Sequence, residues 1–221
     1  MKISEKEVLR YLKHSGTTID ERTSALIEQI ASELTDKTSP KNVYGIWDCR
    51  LDSNAMQLDS MTVNSQNLAG HLHGCRRIAL MAVTLGTGAD TLIRRYSVQD
   101  MEKAVIAHAV CAVMIEEYCD TIENEIAQKP EVSGLYHTTR FSPGYGDFDI
   151  VHQKDILRLL NCSSRIGLTL TNGYMLIPSK SVTAVIGFAR ETSLQNTEEK
   201  KENRTKCERC GDELCAFREA N

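Results

Sequence analysis

Apolar residues recur at helical spacing in the first part of the chain and again through its middle. Two helices are predicted over 4–14 and 20–35, because apolar positions three and four residues apart share one helix face. In the second helix, that face comprises Leu26, Ile27, Ile30 and Leu34. A longer helical stretch extends from Thr87 to Lys129 and carries regularly spaced alanine and branched apolar residues. Within it, 97–128 is the long, alanine-rich part, and we expect this helix to form the spine of the domain.

Strand-like segments lie between the second helix and the long helical stretch. The continuous apolar run from Arg76 to Gly86 predicts a buried, central strand. Segments that begin at Val43 and at Ala55 are separated by turn-forming residues at 52–54, which predicts that the two segments form a hairpin with each other.

Shorter elements are predicted on either side of the long helical stretch. A short helix over 65–73 begins at Ser65, a residue type that caps helix N-termini well. A second short helix is predicted over 150–160. Beyond it, Asn172-Gly173 predicts the turn of an antiparallel hairpin, and an apolar strand follows at 181–189.

Charge and composition restrict the classes of partner. The chain has 221 residues and a formal net charge of −4, so it offers no broad basic surface for nucleic acid. It contains no run of about 18 to 20 apolar residues, and its N-terminus is charged where a signal peptide would be apolar. We therefore expect a cytoplasmic protein without a membrane segment.

A cysteine-containing tail follows a highly charged segment at 191–206. Cys207, Cys210 and Cys215 have the spacing of thiolates that turn back onto one metal ion. Either zinc or an iron–sulfur cluster fits this pattern, and redox thiols or an inert tail are the alternatives. A zinc site normally has four ligands, so Cys162 or a histidine would supply the fourth, or one position would stay open.

Three spaced blocks between residues 64 and 188 carry a family resemblance. The loop R-F-S-P-G-Y-G spans 140–146 and is followed by Gln153-Lys154 and the helix DILRLL. A second block comprises Ile166-Gly167, Leu170-Thr171, Pro178 and Ser181-Val182. Upstream, AVTLGTGADTLIRRYSVQD precedes a helix that contains MIEEYCD. Together the blocks cover roughly 64–188, and the chain resembles the activation domain of cobalamin-dependent methionine synthase.

The resemblance implies an α+β fold in which a twisted antiparallel sheet is flanked by helices, one of them long and central. We divide the chain into this domain over 1–190, a charged linker over 191–206 and a cysteine-containing tail over 207–221. The resemblance also implies a ligand, S-adenosylmethionine, and a role in reductive methylation of cobalamin.

The chain does not resemble the synthase's cobalamin-binding, homocysteine or folate modules. We therefore expect a stand-alone activation subunit of a split cobalamin-dependent methionine synthase, a methyltransferase that is not complete alone. It would work on cobalamin carried by a corrinoid-binding partner. An electron donor protein is a further expected partner. A tail cluster could relay electrons to cobalt, whereas a zinc knuckle would only fix the tail or an interface.

S-adenosylmethionine presents a carboxylate, an ammonium, a sulfonium and an adenine. Arg140 is the expected carboxylate clamp, because a guanidinium binds a carboxylate through two hydrogen bonds. Glu116 matches a ligand-contacting glutamate of the family, although the adjacent Glu117 could take its role. The turn that would reach adenine comprises Pro143, Gly144, Tyr145 and Gly146.

Two other functions remain open. One is a non-catalytic, metal-binding interaction module that has lost the ligand; it is favoured by Gly134, which stands where the synthase has an acidic contact. The other is an activator of a different corrinoid methyltransferase. Retained or lost binding of S-adenosylmethionine separates the first alternative from the activation subunit.

Overall fold

A computed structural model describes residues 3–12, 20–52 and 54–190. Its helices, in chain order, are α1 (Glu5–Tyr11), α2 (Glu21–Lys37), α3 (Gln66–His71), α4 (Thr87–Gln99), α5 (Met101–Ala127), α6 (Gln153–Leu159) and α7 (Cys162–Ile166). Its strands are β1 (Lys41–Asp48), β2 (Arg50–Leu51), β3 (Ala55–Leu58), β4 (Met61–Asn64), β5 (Arg77–Thr84), β6 (Tyr136–His137), β7 (Thr169–Leu170), β8 (Leu176–Ile177) and β9 (Ser181–Ala189). Short 3-10 helices cover Pro130–Val132 and Ile150–His152.

The main sheet has four antiparallel strands in the order β1-β5-β9-β6. As predicted, the apolar run from Arg76 becomes the buried strand β5, which lies between β1 and β9. Successive side chains of a strand point to opposite faces, so a run that is apolar at every position is buried on both sides. The sheet is therefore covered on each face, and the fold is α+β.

The two faces of the sheet pack into two separate hydrophobic cores. On one face, Met81 and Val83 of β5 meet helices α1, α2, α4 and α5. On the other face, Ile78 and Leu80 meet the small elements α3, α6 and α7, together with the strands β3 and β4. Phe148, from the loop after β6, is also fully buried in this second core.

The predicted long helix is interrupted once, at Asp100. This residue is extended, with φ −162°, and its side chain accepts a hydrogen bond from the backbone N–H of Lys103. Asp100 therefore ends α4 and caps α5, so the chain forms two helices between Thr87 and Ala127. The 27 residues of α5 form the central helix and pack against α1, α2 and α4.

The predicted hairpin between the segments from Val43 and Ala55 is largely wrong. The first segment forms β1, whose partner along its whole length is β5. Only the two residues of β2 pair with β3, and β3 turns back at Asp59 to pair with β4. Pairing with β5 buries Val43 in the second core, which a short local hairpin could not do.

Other local predictions are confirmed. The side chain of Ser65 caps α3 by accepting a hydrogen bond from the backbone N–H of Leu68. The hairpin around Asn172-Gly173 is present as β7 and β8, although each strand is only two residues long. Within the described part of the chain, no helix is long and apolar enough to cross a membrane.

Candidate functional site

A large cleft lies between the second half of α5, the segment after β6 and α3. Its volume is about 1170 Å³, above the range of roughly 300–1,000 Å³ that is typical of small-molecule sites. Its lining comprises Asn67, Gly70, His71, Glu116, Asp120, Glu123, Asn124, His137, Thr139, Arg140, Phe141, Ser142, Pro143, Tyr145, Gly146, Gln153, Leu176, Ser181, Val182 and Thr183.

The loop over 140–146 is hydrogen-bonded to the sheet at its start and packs on the second core at its end. Phe141 exchanges two backbone hydrogen bonds with Val185 of β9, at 2.9 and 2.8 Å. Gly144, at φ +97°, donates its backbone N–H to the carbonyl of Phe148 at 2.7 Å. The rings of Phe141 and Phe148 stack with centroids 6.3 Å apart. The turn is therefore held in one conformation, and a glycine is needed at 144 because L side chains rarely adopt this φ.

Asp147 ties the end of this loop to the N-terminus of α3. Its carboxylate accepts hydrogen bonds from the Ser65 hydroxyl and from the backbone N–H groups of Gln66 (2.8 Å) and Asn67 (3.1 Å). The hydrogen bond from Ser65 lowers the pKa of Asp147 below its ordinary value. A carboxylate is favoured at a helix N-terminus, where backbone N–H groups lack intrahelical partners.

This contact predicts a pH effect on stability. Because the pKa of Asp147 is lowered in the folded protein, its contribution is present above the ordinary value of 3.8 and is lost as pH falls through the lower folded value. We expect Asp147→Asn to destabilise the protein near neutral pH but to differ little from the parent protein at pH of about 2. Urea unfolding at both pH values checks this, with Asp36→Asn, an exposed carboxylate of α2, as control. An equal difference at both pH values would contradict it.

Arg140 lines the cleft and is paired with three carboxylates of α5. Its Nη1 lies 2.6 Å from Oδ1 of Asp120 and 2.6 Å from Oε2 of Glu123, while Nη2 lies 3.0 Å from Oε2 of Glu116. Burial alone would lower the pKa of the guanidinium, but its hydrogen bond to Asp120 and the nearby negative charges raise it above its ordinary value. The three acidic residues are spaced by four and three positions, so they share one face of α5.

The three carboxylates differ in their exposure. The side chain of Glu123 is only 14% exposed, whereas those of Glu116 and Asp120 are 50% and 65% exposed. Glu123 also lies 3.3 Å from Nδ1 of His137, and this hydrogen bond raises the pKa of His137. Burial would raise the pKa of Glu123, but His137 and Arg140 together lower it. Glu123 is therefore the fixed carboxylate, and the other two face the open cleft.

The predicted ligand residues are mostly brought together. Arg140, Glu116, Pro143, Tyr145 and Gly146 all line the cleft. Gly144 lies between two of them and shapes the turn, but it is not part of the lining. Of the two adjacent glutamates, Glu116 lines the cleft and Glu117 does not.

Sequence analysis missed four charged or titratable residues of this region. Asp120 and Glu123 follow Glu116 at helical spacing, which was the available signal. His137 and Asp147 act through partners far away in sequence, Glu123 and the start of α3, and no local pattern reveals those contacts. The expected clamp Arg140 is thus not an isolated cation: three carboxylates contact it, and His137 contacts one of them, Glu123.

The predicted metal ligands Cys207, Cys210 and Cys215 lie outside the described residues. Cys162, considered as a fourth ligand, is fully buried in the second core, and burial raises the pKa of its thiol to about 12. It therefore packs as an apolar residue. Among the described residues, no group of three or more His, Cys, Asp or Glu side chains is placed to hold a metal ion.

A comparison with known families matches the segment that forms most of the cleft. The family model of the activation domain of vitamin B12-dependent methionine synthase matches residues 72–196, more than half of the chain. The chain belongs to this activation-domain family. The matched segment contains α5, β6, the loop over 140–146 and β9, which are the elements that form most of the activation-domain cleft.

A structural comparison supports the same fold. A crystal structure of the MetH reactivation domain bound to AdoHcy matches with a TM-score of 0.59 and 13% sequence identity. The match covers 91% of this chain and 85% of that chain. It includes more of the chain than the family model does, so the activation-domain fold extends beyond residues 72–196. A search of curated protein sequences finds no match.

Proposed function

We propose that the cleft binds S-adenosylmethionine and presents its methyl group for reductive methylation of a cobalamin carried by a partner protein. The observation that carries this proposal is the combination, in one cleft, of Arg140 with the acidic face of α5 and the glycine-containing loop. Membership of the activation-domain family and the AdoHcy-bound structural relative support the choice of ligand.

The charges of the cleft suit the amino-acid end of this ligand. Three carboxylates against one guanidinium leave an excess of negative charge, which attracts the ammonium and sulfonium groups. Arg140 would receive the ligand's carboxylate. Both hydrogens of its Nη1 are used by Asp120 and Glu123, so a carboxylate that approaches this nitrogen would displace Asp120, the more exposed of the two.

The loop over 140–146 would hold the nucleoside end. The Tyr145 side chain is exposed at the cleft and offers an aromatic face and a hydroxyl. Gly146 lines the cleft without a side chain that could block a ligand, and Gly144, at positive φ, shapes the turn that places it there. The chain's own contribution is therefore positional: its residues bind and orient the methyl donor, while the cobalamin supplies the redox chemistry.

A corrinoid-binding methionine synthase subunit is the partner that this function requires, together with an electron donor. Exposed apolar side chains lie close to the cleft: Tyr145 lines it, and Met175 and Ile177 flank the lining residue Leu176. A partner that covers these side chains would also exclude water from the methyl group.

Calorimetric titration of the reduced protein with S-adenosylmethionine tests the proposal. We expect saturable binding of one ligand per chain. If neither heat of binding nor thermal stabilisation is observed, the activation function is wrong and the interaction module is favoured. If the ligand binds but a corrinoid subunit of methionine synthase is not reactivated, the partner is another corrinoid methyltransferase.

The tail cysteines are proposed to bind zinc or an iron–sulfur cluster separately from this cleft. We expect removal of 207–221 to abolish bound metal, because these residues contain Cys207, Cys210 and Cys215. The melting temperature of the remaining domain should stay unchanged. Elemental analysis and visible absorption of the purified protein and of the truncated protein check this. Metal retained after truncation would contradict the tail site.

A further inference from the structure

Gln153, the first residue of α6, has a buried acceptor without a partner. The residue is only 8% exposed, and among the described residues its Oε1 receives no hydrogen bond. It is the one buried side-chain nitrogen or oxygen in this condition within the described part of the chain. Buried polar atoms are nearly always paired, because an unpaired one loses its hydration without compensation.

The same side chain lines the candidate cleft. The residue therefore borders the space that a ligand would fill, and its carbonyl oxygen, which has almost no accessible surface in the ligand-free protein, would meet a ligand donor once the amide turns toward the cleft. Other cleft residues carry donors, among them Asn67 and His71 on α3, yet none of them bonds to this oxygen. An acceptor that the protein leaves unpaired at a cleft can be paired by a donor of the ligand.

The kind of donor follows from the rest of the cleft. Cationic groups find charged acceptors on α5, where Glu116 and Asp120 face the opening. An amide carbonyl is a neutral acceptor and suits an uncharged N–H or O–H donor. In S-adenosylmethionine, such donors are the adenine amino group and the ribose hydroxyls.

We propose that Oε1 of Gln153 accepts a hydrogen bond from the nucleoside part of the ligand and thereby makes binding specific for the nucleoside. This inference rests on the proposed function, because it assigns one contact within the same cleft. In the ligand-free protein, the unpaired oxygen of Gln153 lowers the free energy of unfolding, and a hydrogen bond from a nucleoside donor removes this penalty.

Two substitutions separate this role from a structural one. Gln153→Met keeps a side chain of similar length and removes the acceptor, whereas Gln153→Glu keeps an acceptor at the same position. Gln66→Met on α3, an exposed glutamine, serves as the matched control. Melting temperatures are measured without ligand, and calorimetry is performed with S-adenosylmethionine, its hypoxanthine analogue and its 2′-deoxyribose analogue.

We expect Gln153→Met to raise the melting temperature of the ligand-free protein by about 2–4 °C, because the unpaired acceptor is removed. The same variant should bind S-adenosylmethionine about five- to tenfold more weakly. Gln153→Glu should retain most of the affinity. An analogue that loses affinity for the parent protein but not for Gln153→Met identifies the donor as the amino group or the 2′-hydroxyl. If neither analogue does so while Gln153→Met still binds S-adenosylmethionine more weakly and melts at a higher temperature, the donor is the 3′-hydroxyl.

Failure of this inference differs from failure of the proposed function. If the parent protein does not bind S-adenosylmethionine, the proposed function is wrong, and the proposed contact of Gln153 is wrong as well. If the parent protein binds but Gln153→Met has unchanged affinity, the contact alone is wrong. If Gln153→Met lowers the melting temperature and weakens all three ligands equally, Gln153 is a structural residue and the inference is overturned.

Discussion

Arg140→Met should weaken S-adenosylmethionine binding by at least about 30-fold and lower the free energy of unfolding by about 2–3 kcal/mol. The binding loss follows from removal of the guanidinium that would receive the ligand's carboxylate. The stability loss follows from Glu123, which is 14% exposed and would keep its charge with only His137 as partner. Calorimetry and urea unfolding measure the two effects separately.

A double variant separates the stability effect of Arg140 from its effect on binding. Adding Glu123→Gln to Arg140→Met removes the charge that was left unpaired, so part of the lost stability should return. Binding should not return, because the guanidinium is still absent. Unchanged affinity in Arg140→Met would exclude Arg140 from the site, and restored affinity in the double variant would show that Arg140 acts only through Glu123.

The elements that sequence predicts well are those whose signal is local. Ser65 caps α3 through the backbone N–H of Leu68, three residues away, and the apolar run of β5 needs no partner to be recognised. The partner predicted for β1 is wrong because its observed partner, β5, begins 29 residues beyond the end of β1. Alternation of apolar residues identifies a strand but does not specify which strand it joins.

The candidate site shows the same division between local and distant information. The loop over 140–146 is recognisable from its own residues, and Glu116 from its place on the long helix. The contacts of Arg140 with Asp120 and Glu123 connect residues 20 and 17 positions apart, and Asp147 reaches α3 across 81 residues to Gln66. Such contacts depend on how the loop packs against two helices. That packing cannot be predicted from a local pattern of residue types.

Phe148→Ala should lower the free energy of unfolding by about 3–5 kcal/mol and abolish measurable binding of S-adenosylmethionine. The ring is fully buried in the second core and stacks on Phe141, while the backbone carbonyl of Phe148 accepts the N–H of Gly144. Loss of the ring leaves a cavity beneath the loop, so the turn at 143–146 would no longer be held against the sheet. Urea unfolding and calorimetry at a temperature where the variant is folded measure both effects.

The matched control is Ile30→Ala, at a fully buried position of α2 in the other core. This substitution should cost about 2–5 kcal/mol of stability but leave affinity unchanged, because α2 contributes no residue to the cleft. Equal losses of affinity in both variants would mean that binding simply follows global stability. A loss confined to Phe148→Ala would instead show that the second core determines the shape of the ligand loop.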